Sequence, residues 1–230
     1  MRPSKSTEML DIVAEGLKEL ADEVVFLGGA TTGLYIDDPS YPEVRPTEDV
    51  DCIVQIASRV EYAKLEQRLR KLGFQHDYIQ GSPLCRWKFC GVTVDVMPTN
   101  AEILGFSNRW YPSGIAQCES FQLPSGRTIR VLSAINFLAT KNEAFENRGA
   151  GDYRFSPDFE DIVSVLDGRS SMEGELLVAP LELRAYFSKK FRSFLKDSAF
   201  EEGIYSHLVP GYGGGNRVER ILAILRKLET

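Results

Sequence analysis

Two hydrophobic periodicities divide the chain. Short apolar or alternating runs predict β-strands at residues 24–27, 50–56, 84–97 and 121–131. Apolar residues at helical spacing predict helices at residues 6–21, 58–72, 133–145, 157–166 and 216–228. Because every strand pattern precedes residue 132, the sequence predicts an α+β protein. Its first domain, residues 1–132, would carry a sheet with helices packed on it, and residues 133–230 would form a helical C-terminal region.

The residues after the first predicted strand have the character of a phosphate-binding turn. Gly28 and Gly29 follow the apolar run VVFL directly, and glycine lets the backbone approach a ligand closely. Ala30, Thr31 and Thr32 then open a predicted helix, whose free N–H groups would face a phosphate. The turn therefore indicates a site for phosphate groups.

Three aspartates indicate a metal site. Asp49 and Asp51 are two apart at the start of a predicted strand and so share a face. Neighbouring carboxylates repel each other, and Mg²⁺ ions are natural occupants of such a pair. Asp95 lies between Val94 and Val96 in the second arm of a predicted hairpin over residues 84–97. If the two strands are neighbours, all three carboxylates lie together; the alternative is that they are solvent-facing residues at strand ends.

These motifs together resemble the nucleotidyltransferase superfamily typified by DNA polymerase beta: Gly28-Gly29, then Asp49-x-Asp51, then Asp95 between hydrophobic residues. The resemblance implies a mixed β-sheet flanked by helices. It implies that Asp49, Asp51 and Asp95 are catalytic and hold two Mg²⁺ ions, with Mn²⁺ as an alternative. It also implies an NTP whose phosphates rest on Gly28 and Gly29.

The sequence departs from the family pattern in two places. Gly29 stands where the family often has Ser, so Thr31 or Thr32 would supply the hydroxyl group to the phosphates. The interval from Gly29 to Asp49 is longer than usual. The excess, residues 37–46, contains Pro39, Pro42 and Pro46 and predicts an inserted loop.

A second resemblance lies further along the chain. Lys141 on one predicted helix is followed by a glycine-containing turn and a second helix with Asp158 and Asp161, which resembles AbiEii-type nucleotidyltransferases of toxin–antitoxin and phage-defence systems. This resemblance implies that Lys141 binds nucleotide phosphates and that Asp161 completes the site, with Asp158 as the competing candidate. The alternative for Lys141 is a surface lysine paired along its helix.

Composition narrows the picture. No apolar run approaches the ~20 residues of a membrane span, and the N-terminus lacks the apolar segment of a signal peptide, so a cytoplasmic protein is expected. The four cysteines have no zinc-ligand spacing; Cys52 and Cys90 lie in strand-like runs, which predicts buried free thiols. The run GYGGG at residues 211–215 lacks the context of a dinucleotide motif and is interpreted as a linker.

The predicted activity is transfer of a nucleoside monophosphate from an NTP to an acceptor hydroxyl, with release of pyrophosphate. The AbiEii-type resemblance implies RNA, such as a tRNA end, or a protein as the acceptor, and a cognate antitoxin as a partner. A net charge of −6 does not favour RNA. A small-molecule acceptor, as in aminoglycoside nucleotidyltransferases, and a non-catalytic nucleotide-binding regulator are the alternatives.

Overall fold

The computed structural model describes residues 4–149, 151–210, 212 and 216–228. Of the predicted linker at residues 211–215, all but Tyr212 lies outside the described residues. The chain divides into two compact units. The first contains the chain up to Thr31 and Arg45–Asn136, and the second contains Thr32–Val44 and the chain from Phe137 onward.

Seven strands lie in the described part of the first unit: β1 Val24–Leu27, β2 Asp49–Val54, β3 Gln75–His76, β4 Arg86–Phe89, β5 Val92–Pro98, β6 Glu119–Gln122 and β7 Thr128–Val131. They form one sheet in the order β3-β4-β5-β2-β1-β7-β6. The β2–β5 and β1–β7 pairs are parallel and the other pairs are antiparallel. The predicted mixed sheet is therefore confirmed.

Four helices accompany this sheet in the described chain: α1 Lys5–Leu17, α2 Arg59–Lys71, α3 Ala101–Leu104 and α4 Tyr111–Ala116. Helix α1 begins at a capping box, in which Ser4 and Thr7 bond each other's backbone N–H groups. It packs on β2 and β5, and it approaches β4 where Gly16 lies against the ring of Phe89. A β-carbon on Gly16 would come within 2.3 Å of that ring.

Apart from the segment 32–44, the described part of the second unit is built from helices: α5 Ala134–Arg148, whose first turn belongs to the first unit, then α6 Pro157–Gly168, α7 Met172–Val178, α8 Leu181–Lys196, α9 Phe200–His207 and α10 Arg217–Lys227. The aromatic rings of Phe145, Tyr153, Phe159, Phe194 and Phe200 contact one another and form the core of this unit. The predicted helical C-terminal region is confirmed.

The segment 32–44 packs with the helices of the second unit. The ring of Tyr35 contacts Phe137, and the backbone N–H of Asp37 donates to the carbonyl of Gly168 at 3.2 Å. The hydroxyl of Ser170 donates to the Asp37 carboxylate at 2.8 Å. The predicted loop at residues 37–46 contains no helix or strand, and these contacts anchor its first residues.

Several local predictions need correction. The first helix ends at Leu17 and continues as a 3₁₀ helix, Lys18–Asp22; the helix after the glycine turn is also 3₁₀, Gly29–Tyr35. Cys90 is exposed because it lies in a tight turn, whereas Cys52 is buried as predicted. Among the described residues, no helix combines the length and apolarity that a membrane crossing requires.

Candidate active site

The three predicted aspartates lie together on one face of the sheet. Strand β2 runs parallel to β5, with Asp51 opposite Asp95 and Asp49 opposite Thr93. Side chains alternate along a strand, so Asp49, Asp51 and Asp95 share one face and the apolar residues between them occupy the other. Asp95 is buried, and the other two carboxylates are half-buried. The structure therefore brings the three carboxylates together; their catalytic role stays a prediction.

Position 28 requires glycine because of its backbone conformation and because of the carboxylate beside it. Strand β1 ends where Leu27 pairs with Asp51, and Gly28 then adopts a φ of +76°. A β-carbon on Gly28 would lie 1.9 Å from an oxygen of Asp51. A side chain at this position would therefore require both a strained backbone and a displaced carboxylate.

The other side of the glycine turn carries a cation and a hydroxyl. A β-carbon on Gly29 would lie 2.8 Å from a guanidinium nitrogen of Arg45 and 3.3 Å from the hydroxyl of Thr47. That hydroxyl donates to Asp49 at 3.0 Å. Arg45 and Thr47 were not among the predicted site residues, although both lie within four residues of Asp49 in the sequence. The turn is thus bordered by Asp51, Arg45 and Thr47.

Thr31 has a structural partner in this arrangement. Its side chain is fully buried, and its hydroxyl donates to the carbonyl of Gly28 at 3.0 Å. Its backbone N–H donates to the same carbonyl at 3.1 Å. Thr32 is also fully buried, and its hydroxyl has no hydrogen-bond partner among the described residues. A contact from either threonine to a phosphate stays a prediction.

Arg86 is a further residue of the site that the sequence reasoning missed. Its Nε donates to one oxygen of Asp95 at 2.9 Å and its Nη2 donates to the other at 2.7 Å. The same Nη2 lies 3.6 Å from an oxygen of Asp49. Hydrogen bonding to Asp95 raises the pKa of the Arg86 guanidinium, against the opposing effect of burial. One cation is thus paired with two of the three carboxylates and offsets part of their negative charge.

The hairpin explains how Arg86 reaches Asp95. Cys90 and Gly91 have φ values of +46° and +82°, the left-handed pair typical of a two-residue type I′ turn. A two-residue turn fixes the register of the strands around it, and it places Arg86 directly opposite Asp95. The signal was present in the sequence, because residues equally distant from the turn face each other.

The donor chemistry of the carboxylates fits a hard divalent cation, since Mg²⁺ prefers carboxylate oxygens. As the side chains stand, no group of three His, Cys, Asp or Glu residues in the described part of the chain is arranged to hold a metal ion. In the same arrangement, the guanidinium of Arg86 donates to both oxygens of Asp95.

Comparison with solved structures identifies the fold. The structure of the antibiotic-resistance factor ANT(2'')-Ia, an aminoglycoside nucleotidyltransferase, matches 82% of this chain and 94% of its own length. The TM-score is 0.51 at 14% sequence identity. The chain has the fold of a polymerase-beta-like nucleotidyltransferase. No protein-family model and no curated protein matches the sequence, and membership of the AbiEii-type branch stays a prediction.

The second unit of this nucleotidyltransferase fold holds a buried ion-pair cluster. The ammonium of Lys141 lies 3.1 Å from Asp158 and 2.7 Å from Asp161, and all three side chains are buried. Arg148 pairs with Asp158 at 2.6 Å. The alternative of a surface lysine is therefore wrong. Both acids contact Lys141, so its geometry does not choose between them, and the roles of Lys141 and Asp161 toward a nucleotide stay predictions.

Electrostatics keeps Asp158 ionised inside this cluster. Burial alone would raise the pKa of Asp158. The hydrogen bond from Arg148 and the charge of Lys141 outweigh burial, so the pKa lies below its ordinary value of 3.8. Asp158 thus stays ionised although it is buried, because it is paired with the buried Lys141 and with the exposed side chain of Arg148.

Proposed function

We propose that the protein is a metal-dependent nucleotidyltransferase, which transfers a nucleoside monophosphate from an NTP to an acceptor hydroxyl and releases pyrophosphate. The observation that carries this proposal is the parallel β2–β5 pair, which gathers Asp49, Asp51 and Asp95 beside the Gly28 turn. The similarity of the fold to a nucleotidyltransferase supports the same reaction class.

The residues of the first unit would have different roles in this reaction. Asp49, Asp51 and Asp95 would hold two Mg²⁺ ions, which when bound stabilise charge on the attacking and leaving oxygens of the displacement. Thr47 orients Asp49 through its hydrogen bond. Gly28, which has no side chain, leaves room for the carboxylate of Asp51 beside the turn.

Arg45 adds a positive charge beside Gly29. A guanidinium is the side chain best suited to bind phosphate oxygens in pairs. Arg45 therefore complements the glycine turn as a ligand for the NTP phosphates. Lys141 as a further phosphate ligand and Asp161 as a later acid rest on the AbiEii-type resemblance alone.

The acceptor has three candidate classes. The AbiEii-type resemblance favours RNA, with a tRNA end as the first substrate to test, or a protein as the acceptor, and a cognate antitoxin protein as a partner. The net charge of −6 is unfavourable for a general RNA-binding surface. The similarity to an antibiotic-resistance factor favours a small molecule with free hydroxyl groups instead.

The test is label transfer from each α-³²P-labelled NTP in the presence of Mg²⁺, with cellular RNA, with an aminoglycoside, or with protein alone. The molecule that carries the label, whether RNA, the small molecule or protein, would be identified as the acceptor. Asp49→Asn is expected to abolish transfer without lowering the melting temperature, because it relieves carboxylate repulsion. Glu48→Gln removes the same charge one residue away, at an exposed position, and should keep activity. Normal transfer by Asp49→Asn would refute the proposed site.

A further inference from the structure

The guanidinium of Arg86 lies where a cation shared by Asp95 and Asp49 would lie. It donates to both oxygens of Asp95, at 2.9 and 2.7 Å, and its Nη2 is 3.6 Å from Asp49. We propose that Arg86 takes the place of a metal ion in the metal-free protein and has to release these carboxylates before a divalent ion binds. Arg86 would then set the metal affinity of the site. The proposal rests on the proposed function, which assigns the carboxylates as metal ligands.

The backbone of Arg86 is fixed, so only its side chain is able to move. The Arg86 N–H donates to the carbonyl of Pro83 at 3.0 Å, and its carbonyl accepts from the N–H of Asp77 at 3.1 Å. Strand pairing with β5 holds it from the other side. A change of partner must therefore be a rotation of the side chain.

The two partners differ in their freedom to move. The Arg86 side chain is 29% exposed, whereas that of Asp95 is 10% exposed. The guanidinium is thus able to swing toward water, where its charge is well solvated. Asp95 has a short side chain on a paired strand and stays in place. The exchange of cations therefore displaces the arginine.

Competition between Arg86 and a divalent ion for the same carboxylate oxygens predicts the direction in which the metal affinity changes when Arg86 is removed. A divalent ion held by Asp95 and Asp49 needs oxygen lone pairs that Arg86 now occupies, and its charge is repelled by the guanidinium. Removing the guanidinium frees these oxygens and removes one positive charge. Without metal, the variant then contains a buried carboxylate that has lost its partner, and this lowers the stability of the variant. Metal binding should become tighter and should restore that stability.

Lys88 provides a matched control on the same strand and the same face. Its ammonium donates to the hydroxyl of Thr93 at 2.6 Å and lies 3.9 Å from Asp77. Lys88→Gln therefore removes one positive charge near the site without touching the Asp95 pair. Arg86→Lys keeps the charge but loses the two-pronged contact, so an intermediate effect is expected.

The experiment is titration of the nucleotide-free protein with Mn²⁺. Binding is measured by calorimetry and by the EPR signal of free Mn²⁺. Arg86→Gln should bind Mn²⁺ at least about tenfold more tightly than wild type, because hydrogen bonds to a charged group no longer compete. Lys88→Gln should change the Kd by less than about threefold. In thermal melts, metal-free Arg86→Gln should unfold at a lower temperature than wild type, and saturating Mn²⁺ should remove the difference.

Three results would overturn the proposal. Unchanged or weaker Mn²⁺ binding by Arg86→Gln would show that Arg86 positions Asp95 for the metal. Equal tightening by Lys88→Gln would show a general effect of charge. Mn²⁺ binding by Asp49→Asn equal to that of wild type would instead refute the metal site itself, and with it the proposed function. If Arg86→Gln does not fold, Arg86→Lys decides by the same titration.

Discussion

Replacing Gly28 by alanine tests whether the glycine turn and Asp51 form one rigid unit. Gly28 has a φ of +76°, and the added β-carbon would lie 1.9 Å from Oδ2 of Asp51 and 2.7 Å from its Cγ. Both distances are far below van der Waals contact, so either the turn or the carboxylate has to shift. The substitution therefore combines backbone strain with overpacking.

The structure allows the two costs to be separated. A left-handed backbone costs a residue with a β-carbon about 1–2 kcal/mol, and overpacking costs about 1–3 kcal/mol, which gives about 2–5 kcal/mol for Gly28→Ala. Gly126 has a φ of +90° with no atom within 4 Å of its added β-carbon. Gly126→Ala should therefore lose only the backbone part, about 1–2 kcal/mol.

The assay is urea denaturation of both variants, supported by thermal melts, where each kcal/mol shifts the midpoint by about 2–4 °C at this chain length. A double-mutant cycle completes the test. Asp51→Ala removes the two atoms that Gly28→Ala would strike and leaves a Cβ that the new methyl would approach to 3.0 Å. The cost of Gly28→Ala should fall by about 1–2 kcal/mol in that background. An unchanged cost, or equal costs at Gly28 and Gly126, would refute the reasoning.

The buried cluster of the second unit supports two further predictions. Lys141→Met leaves Asp158 and Asp161 buried without their ammonium partner, so it should cost about 3–5 kcal/mol in urea denaturation; a cost no greater than that of Lys189→Met, at an exposed position on α8, would contradict this. Asp158 has a folded-state pKa below its ordinary value of 3.8, so the stability that it contributes is complete above that value and is lost as the pH falls through the folded pKa. The melting temperature of wild type should therefore fall below about pH 4 more steeply than that of Asp158→Asn, and parallel curves would contradict the shift.

The local pattern of apolar and polar residues was sufficient to predict the strands that carry the carboxylates. The strands around Asp51 and Asp95 are short and rich in β-branched residues, and polar and apolar residues alternate around both aspartates. Their existence and the face of each aspartate therefore follow from the period. The hairpin turn at Cys90 was equally readable, because a glycine stood between two such runs. What the pattern did not contain was the neighbour of each strand in the sheet.

The segment 32–44 shows where the sequence reasoning ended. The prolines predicted a loop at residues 37–46, and the structure has no helix or strand there. The packing of the segment with the second unit depends on contacts more than one hundred residues away, such as the bond from the Asp37 N–H to the Gly168 carbonyl. Such contacts have no local signal, since neither residue type is distinctive. Helix α9 was missed for a similar reason, because a short amphipathic helix is specified by its packing on α6 and α8.

Arg86 belongs to a different class of omission, because the sequence contained what was needed to place it. Three carboxylates on adjacent strands repel one another in the absence of metal, so a fold that gathers them requires a compensating cation nearby. The turn at Cys90 and Gly91 fixes the residue opposite Asp95 as Arg86. A search for the partner of the third acid across its hairpin would have found it. The electrostatic requirement of the metal-free state is thus as readable in a sequence as the chemistry of the metal-bound one.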